Sequence, residues 1–258
     1  MYGGHDCAGV GMGTSTRWPG PSGGHWQRVH KEIKDVLPGE PDGGSPELRE
    51  VARSCLRALR TEGTGAPALR ATVREAGTAL VEALERVAER GVELVEPDGT
   101  ADDDRGALAH QQLVDLIAGP PGTATGSAVR RAAERVAHEL LDGHDDVTFS
   151  QSGRVTLSDD LFCLLHRLFF EELVIAFIEA VVVEPALNAV VPGVTLLDPF
   201  GQLREALSEE IVELLPSPCA EREEPGRRGR SIFDVARDLL PDTVTSLLEE
   251  RPASGEAA

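Results

Sequence analysis

Apolar residues recur at three- and four-residue steps along most of this chain, the spacing that places them on one face of a helix. Leu48, Val51, Ala52, Cys55, Leu56 and Leu59 form one such stripe. Ser45 in front of it, Pro46 at the first helical position and Gly63 beyond its end mark the boundaries. Positions 67–90 repeat the pattern through Leu69, Val73, Ala76, Leu80, Leu84 and Val87, up to Gly91. The short connection between the two predicts an antiparallel helical hairpin. Further stripes predict helices over about 105–118, with Leu108, Leu113, Leu116 and Ile117 inward, and over 127–142, with Val129, Ala132, Ala133, Val136 and Leu140 inward. Asp198 and Pro199 open another to about 215, burying Leu203, Leu207, Ile211 and Leu214. Ser231 and Asp234 resemble a capping box for a helix to Leu240. A short last helix is expected over 242–250, and Trp26, Val29, Ile33 and Leu37 are spaced for one near the start.

Segment 158–183 has a different pattern. Ser158 suits an N-cap, Asp159 and Asp160 suit the positive end of a helix dipole, and Leu157 and Phe162 have the spacing of a hydrophobic staple. Pro185 sets the far end, because it disfavours helical geometry at Glu184. At 100° per residue Arg167, Glu171, Glu172 and Glu179 share a side with Leu164, Leu168, Ile175 and Val182, while the opposite side is apolar throughout. A surface helix has a polar face; this one is expected to be surrounded by protein.

The fold class expected is therefore all-α: a helical bundle around one central hydrophobic helix at about 158–184, with a small β-hairpin at about 147–157. The expected organisation is a poorly ordered region over 1–44, rich in Gly, Pro and Ser, and a helical core over 45–215. A linker over 216–230, a C-terminal helical pair over 231–250 and a tail over 251–258 complete it.

A membrane span needs about 20 consecutive apolar residues. The uninterrupted run 173–178 is far shorter, and Glu171, Glu172 and Glu179 lie within or beside the would-be core, so no stable insertion is expected. A formal charge of −19 argues against non-specific nucleic-acid binding and against adsorption to anionic lipid. Lysine occurs only at Lys31 and Lys34, and the wealth of Ala, Gly and Arg suits a GC-rich bacterial genome. The cysteines, Cys7, Cys55, Cys163 and Cys219, are scattered without metal-ligand or redox spacing. Cys55 and Cys163 read as small core residues, and with no signal peptide evident the expectation is a cytoplasmic protein with reduced thiols.

Candidate chemistry is sparse. Positions 119–127, GPPGTATGS, resemble a phosphate-binding loop but lack its lysine and follow a helical rather than a strand pattern, so an interhelical turn is expected. His138-Glu139 begins a zinc-protease signature, but Asp142 stands where the second histidine should be and His144 lies past Gly143. Arg227, Arg228 and Arg230 are expected to neutralise Glu221, Glu223, Glu224 or an acidic neighbour. No catalytic residue, cofactor or metal site is assigned. His166, Glu172 and Glu179 form a candidate buried polar cluster, with Arg53, Arg74 or Arg130 as candidate partners for the glutamates. Phe169, Phe170 and Phe177 form a candidate interaction surface if the coat is too small to cover them.

The leading functional expectation is a non-catalytic helical protein–protein interaction module, a scaffold, adaptor or regulatory subunit that binds a protein partner or itself. The second is an enzyme or small-ligand binder with a polar pocket inside the bundle. The third is peripheral membrane action by release of the central helix.

Overall fold

The structure, a computed structural model, describes residues 23–36, 45–61, 66–91, 102–119, 124–142, 157–180 and 199–249. Its helices are α1 (Gly24–Val36), α2 (Pro46–Thr61), α3 (Ala66–Arg90), α4 (Asp102–Ala118), α5 (Ala124–Asp142), α6 (Asp159–Ile178), α7 (Pro199–Val212), α8 (Pro218–Glu223) and α9 (Ile232–Leu248). The all-α class stands. Among the described residues there is no strand; most of the expected hairpin lies outside them, and Leu157 is not in a strand.

The central helix is α6. The Ser158 hydroxyl accepts from the Leu161 N–H at 3.2 Å, closing its first turn as the sequence predicts. The helix is enclosed over most of its length, with Phe162, Leu165, Phe169, Phe170 and every residue from Glu172 to Ile178 buried, while Arg167 is exposed. At Glu179 and Ala180 the backbone widens into a π-type turn. The helix packs most extensively on α5 and also meets α3, α7 and α8. No helix among the described residues is long and apolar enough to cross a membrane.

The coat is larger than the periodicity suggests. Gly24–Val36 packs on α2 and buries Trp26, Val29 and Ile33, the helix that their spacing predicts within 1–44. The segment expected as a linker carries α8, capped by the Ser217 hydroxyl. The expected C-terminal pair is a single helix, α9, running through Pro241. Proline in a helix interior costs about 3 kcal/mol. Burial of Leu239, Leu240, Val244, Leu247 and Leu248 on the same helix offsets it, each such side chain contributing roughly 1.5–3 kcal/mol. The last carbonyls of α9 find donors across the fold: Arg60 of α2 donates to Ser246 O at 2.7 Å, and Arg70 of α3 to Leu248 O at 3.4 Å.

One position in α3 needs the smallest residue. A Cβ on Gly77 would stand 2.7 Å from Phe170 Cζ and 2.8 Å from Leu240 Cδ2, so glycine is what lets α3 close over both side chains. Leu116, expected inward, is 38% exposed on α4. At the end of α4, Gly119 takes φ +62°, and its carbonyl accepts from Arg130 at 3.2 Å. That end of the phosphate-loop look-alike is thus a helix terminus.

Candidate functional site

Two polar features touch α6, on different sides. The first is a closed ion network. Glu172 and Glu179 lie seven residues apart and so share a helix face. Arg204 of α7 bonds both of them, reaching Glu179 Oε1 at 3.0 Å, and Arg131 of α5 reaches Glu179 at 2.8 Å and Glu172 at 3.5 Å. Ser208 donates to Glu171 Oε1 at 2.6 Å. Burial, followed by the nearby Arg131 and Arg135 charges, pushes the Arg204 pKa down from its ordinary value, with Glu171 opposing. Two carboxylates held by two guanidiniums make a neutral cross-brace between α5, α6 and α7, with no uncommitted group for acid–base work.

The sequence reading foresaw arginine partners but named others. Arg53 instead bonds Glu210 at 3.0 Å, Arg130 bonds Asp115 at 2.8 Å, and Arg74 is exposed on α3. Arg131, one residue on from Arg130, points about 100° further round α5.

Replacing Arg204 with methionine should lower stability by about 2 kcal/mol, because Glu172 keeps its burial and loses its closest partner. The figure is held below that of a fully buried pair because the Arg204 side chain is 35% exposed. Urea denaturation of the single variants and of a Glu172→Met, Arg204→Met double variant checks it. The double variant should recover part of the loss, and strict additivity would remove the coupling.

The second feature is a cleft of about 360 Å³ between the start of α6 and the α7–α8 turn, lined by Asp160, Cys163, Leu164, His166, Arg167, Val212, Leu215, Pro216, Ser217 and Pro218. Its back is a covalent clasp. Cys163 is bonded to Cys219, joining residues 56 apart in sequence. This corrects the reading of Cys163 as a small core residue and removes the reduced-thiol argument for a cytoplasmic setting. Cys55 is the buried core thiol expected, its pKa raised to about 12 by burial.

His166 forms the inner wall of this cleft and does not join Glu172 and Glu179, so the expected three-residue cluster is split. Its ring lies 4.8 Å from that of Phe170 and 6.1 Å from that of Phe162, centre to centre. Nε2 is buried without a hydrogen-bond partner among the described residues, and burial pushes the imidazole pKa down to about 4. His166 is therefore neutral at pH 7 when folded and protonates near 6.5 when unfolded. The unfolded chain binds the extra proton, so stability is whole above pH 6.5 and falls as pH drops toward 4, by up to about 3 kcal/mol. A His166→Gln variant should show a shallower fall across that window in urea midpoints taken at stepped pH, and an unchanged slope would contradict the buried neutral imidazole.

Phe169, Phe170 and Phe177 are 0%, 0% and 3% exposed. They are core, not surface: Phe170 lies under Gly77, and the Phe169 ring meets that of Phe170 edge-on at 5.3 Å. The expected interaction patch is thereby withdrawn. His138 is exposed on α5, His144 and its acidic neighbours lie outside the described residues, and no metal-holding group occurs among the described ones. Arg227 pairs with Glu221 at 3.0 Å and Arg230 with Asp238 at 2.6 Å, the neutralising role expected, while Arg228 donates to the Glu223 backbone carbonyl at 2.8 Å. Sequence reasoning missed the cleft, since its two walls and its clasp come together only through tertiary packing. No family model, curated protein or solved structure matches this chain.

Proposed function

We propose that the chain is a non-catalytic helical interaction module of a bacterial system, and that its protein partner presents a basic face. One observation carries this reading: many of the described arginines are spent on the chain's own carboxylates. Arg53, Arg131, Arg204, Arg222, Arg227, Arg230 and Arg237 all sit in ion pairs, while the formal charge remains −19. The unbalanced carboxylates repel nucleic acid and anionic lipid and attract a cationic protein surface. The cystine favours surroundings in which it persists or is cycled, which moves the reading away from a fully reduced cytoplasm. Nothing in the geometry favours release of α6 to lipid.

Light scattering on a sizing column, with the complex isolated from the native host at about 0.05 M and about 0.5 M salt, tests it. A stoichiometric basic partner that leaves at the higher salt is expected. A strict monomer at both, at every concentration, would sink the proposal.

A second reading has its own support. The cleft beside Cys163 is of small-ligand size and combines apolar walls with a few polar groups. The ligand-binding expectation thus moves from Glu172 and Glu179 to His166 and its neighbours.

A further inference from the structure

The cleft at the start of α6 has a charge on either side of its sulfur. Asp160, Cys163 and Arg167 follow one another at three and four residues, so they lie along one face of the helix with Cys163 between opposite charges. Neither Asp160 nor Arg167 makes an ion pair with the described residues, in a fold where many arginines do. Seven residues of helix separate their α-carbons by roughly 10 Å along the axis. Three residues of extended peptide span about the same distance. The floor between the charges is uncharged, formed by the His166 ring and the apolar Leu164 and Pro216. Cys163 lines the cleft; Cys219 does not, and its Sγ lies 3.4 Å from the Asp159 carbonyl oxygen.

We propose that this cleft is a thiol–disulfide exchange site for a short peptide thiol with cysteine at its centre, its ammonium end on Asp160 and its carboxylate end on Arg167. The proposal rests on the ligand-binding reading of the cleft. The incoming thiolate sulfur forms a bond to Cys163 Sγ as the Cys163–Cys219 bond breaks. The electron pair of the broken bond leaves on Cys219 Sγ. The proton given up by the incoming thiol ends there, and the new Cys219 thiol donates to the Asp159 carbonyl. A second peptide thiol then displaces the first as a small disulfide and leaves two protein thiols. No other oxidant or reductant is needed, and the reverse sequence restores the clasp. The asymmetry of the site fixes the order: Cys163 is the sulfur within reach of the cleft, and Cys219 is the leaving group, bonded to the Asp159 carbonyl only after it has taken up the proton.

The test uses the oxidised full-length chain and glutathione as the probe, with 2-mercaptoethanol as a neutral thiol and rates expressed per thiolate. Intact-mass and peptide mapping should show one glutathione on Cys163. Two exposed charge contacts each worth about threefold predict a rate about tenfold above that of the neutral thiol. Arg167→Gln should lose about threefold of that advantage, and Lys34→Gln, on exposed α1 surface, should lose none. Equal rates for the two thiols, an adduct on Cys219, or absence of the Cys163–Cys219 linkage in the oxidised chain overturns the proposal. S-methylglutathione, which cannot exchange, separates the two levels. If it shifts the His166 ring resonances while exchange shows no preference, the exchange site is overturned and ligand binding stands. If it shifts nothing and the rates are equal, both are overturned.

Discussion

Truncation of Phe170 to alanine is expected to cost about 4 kcal/mol of folding stability, among the largest losses available to a single substitution in this chain. The ring is fully buried: it meets the rings of Phe169 and His166 on its own helix and faces α3 where Gly77 makes room for it. Removing it deletes apolar area and leaves a hole that none of these neighbours can close without moving a helix. Urea denaturation reads the loss directly, with the m-value as a check that the unfolded state is unchanged. A loss within about 0.5 kcal/mol is what an exposed side chain would give, and would return Phe170 to the candidate interaction surface.

Loss of the Cys163–Cys219 bond should be of similar size. A cross-link between residues 56 apart removes conformational freedom from the unfolded chain worth about 4 kcal/mol in the loop-entropy account. For a chain of this length that corresponds to a fall in melting temperature of about 10 °C. Cys163→Ser with Cys219→Ser in one chain, compared with the oxidised parent, measures it. Comparison with the parent under reductant separates loss of the bond from the change to serine. The fold should survive, because Phe162, Leu165 and Phe169 hold α6 in place without the clasp. A pair of serines that leaves stability unchanged would mean that the bond closes no loop in the oxidised protein.

Much of the fold could be read from residue spacing, and the failures have physical causes. The stripes of α2, α3, α5 and α7 are buried as their periods predict, because each helix offers one apolar face to a single core. The phenylalanines are a candidate surface only for a small coat, and α8 and the unbroken α9 make the coat larger. Pro241 and the Pro–Gly–Arg composition of 216–230 look like breaks, yet α9 runs through the proline and brings Leu240 to the same glycine of α3 that Phe170 faces. A local penalty was outweighed by tertiary burial, which no window of sequence contains. The buried Glu172 was legible as a charge in need of an arginine, but the choice of Arg131 and Arg204 depends on how α5 and α7 are rotated against α6. The cystine left no local mark at all: its two halves sit on helices brought together only by the fold.

These parts depend on α6 lying at the centre, shielded by its neighbours. Hydrogen exchange followed by mass spectrometry, with peptides spanning 159–180, tests that most directly. The account predicts that amides from Leu165 to Ile178 are among the slowest in the protein and exchange only when the whole chain unfolds. Exchange of that segment on the timescale of the exposed turn after α8, 224–230, would contradict it.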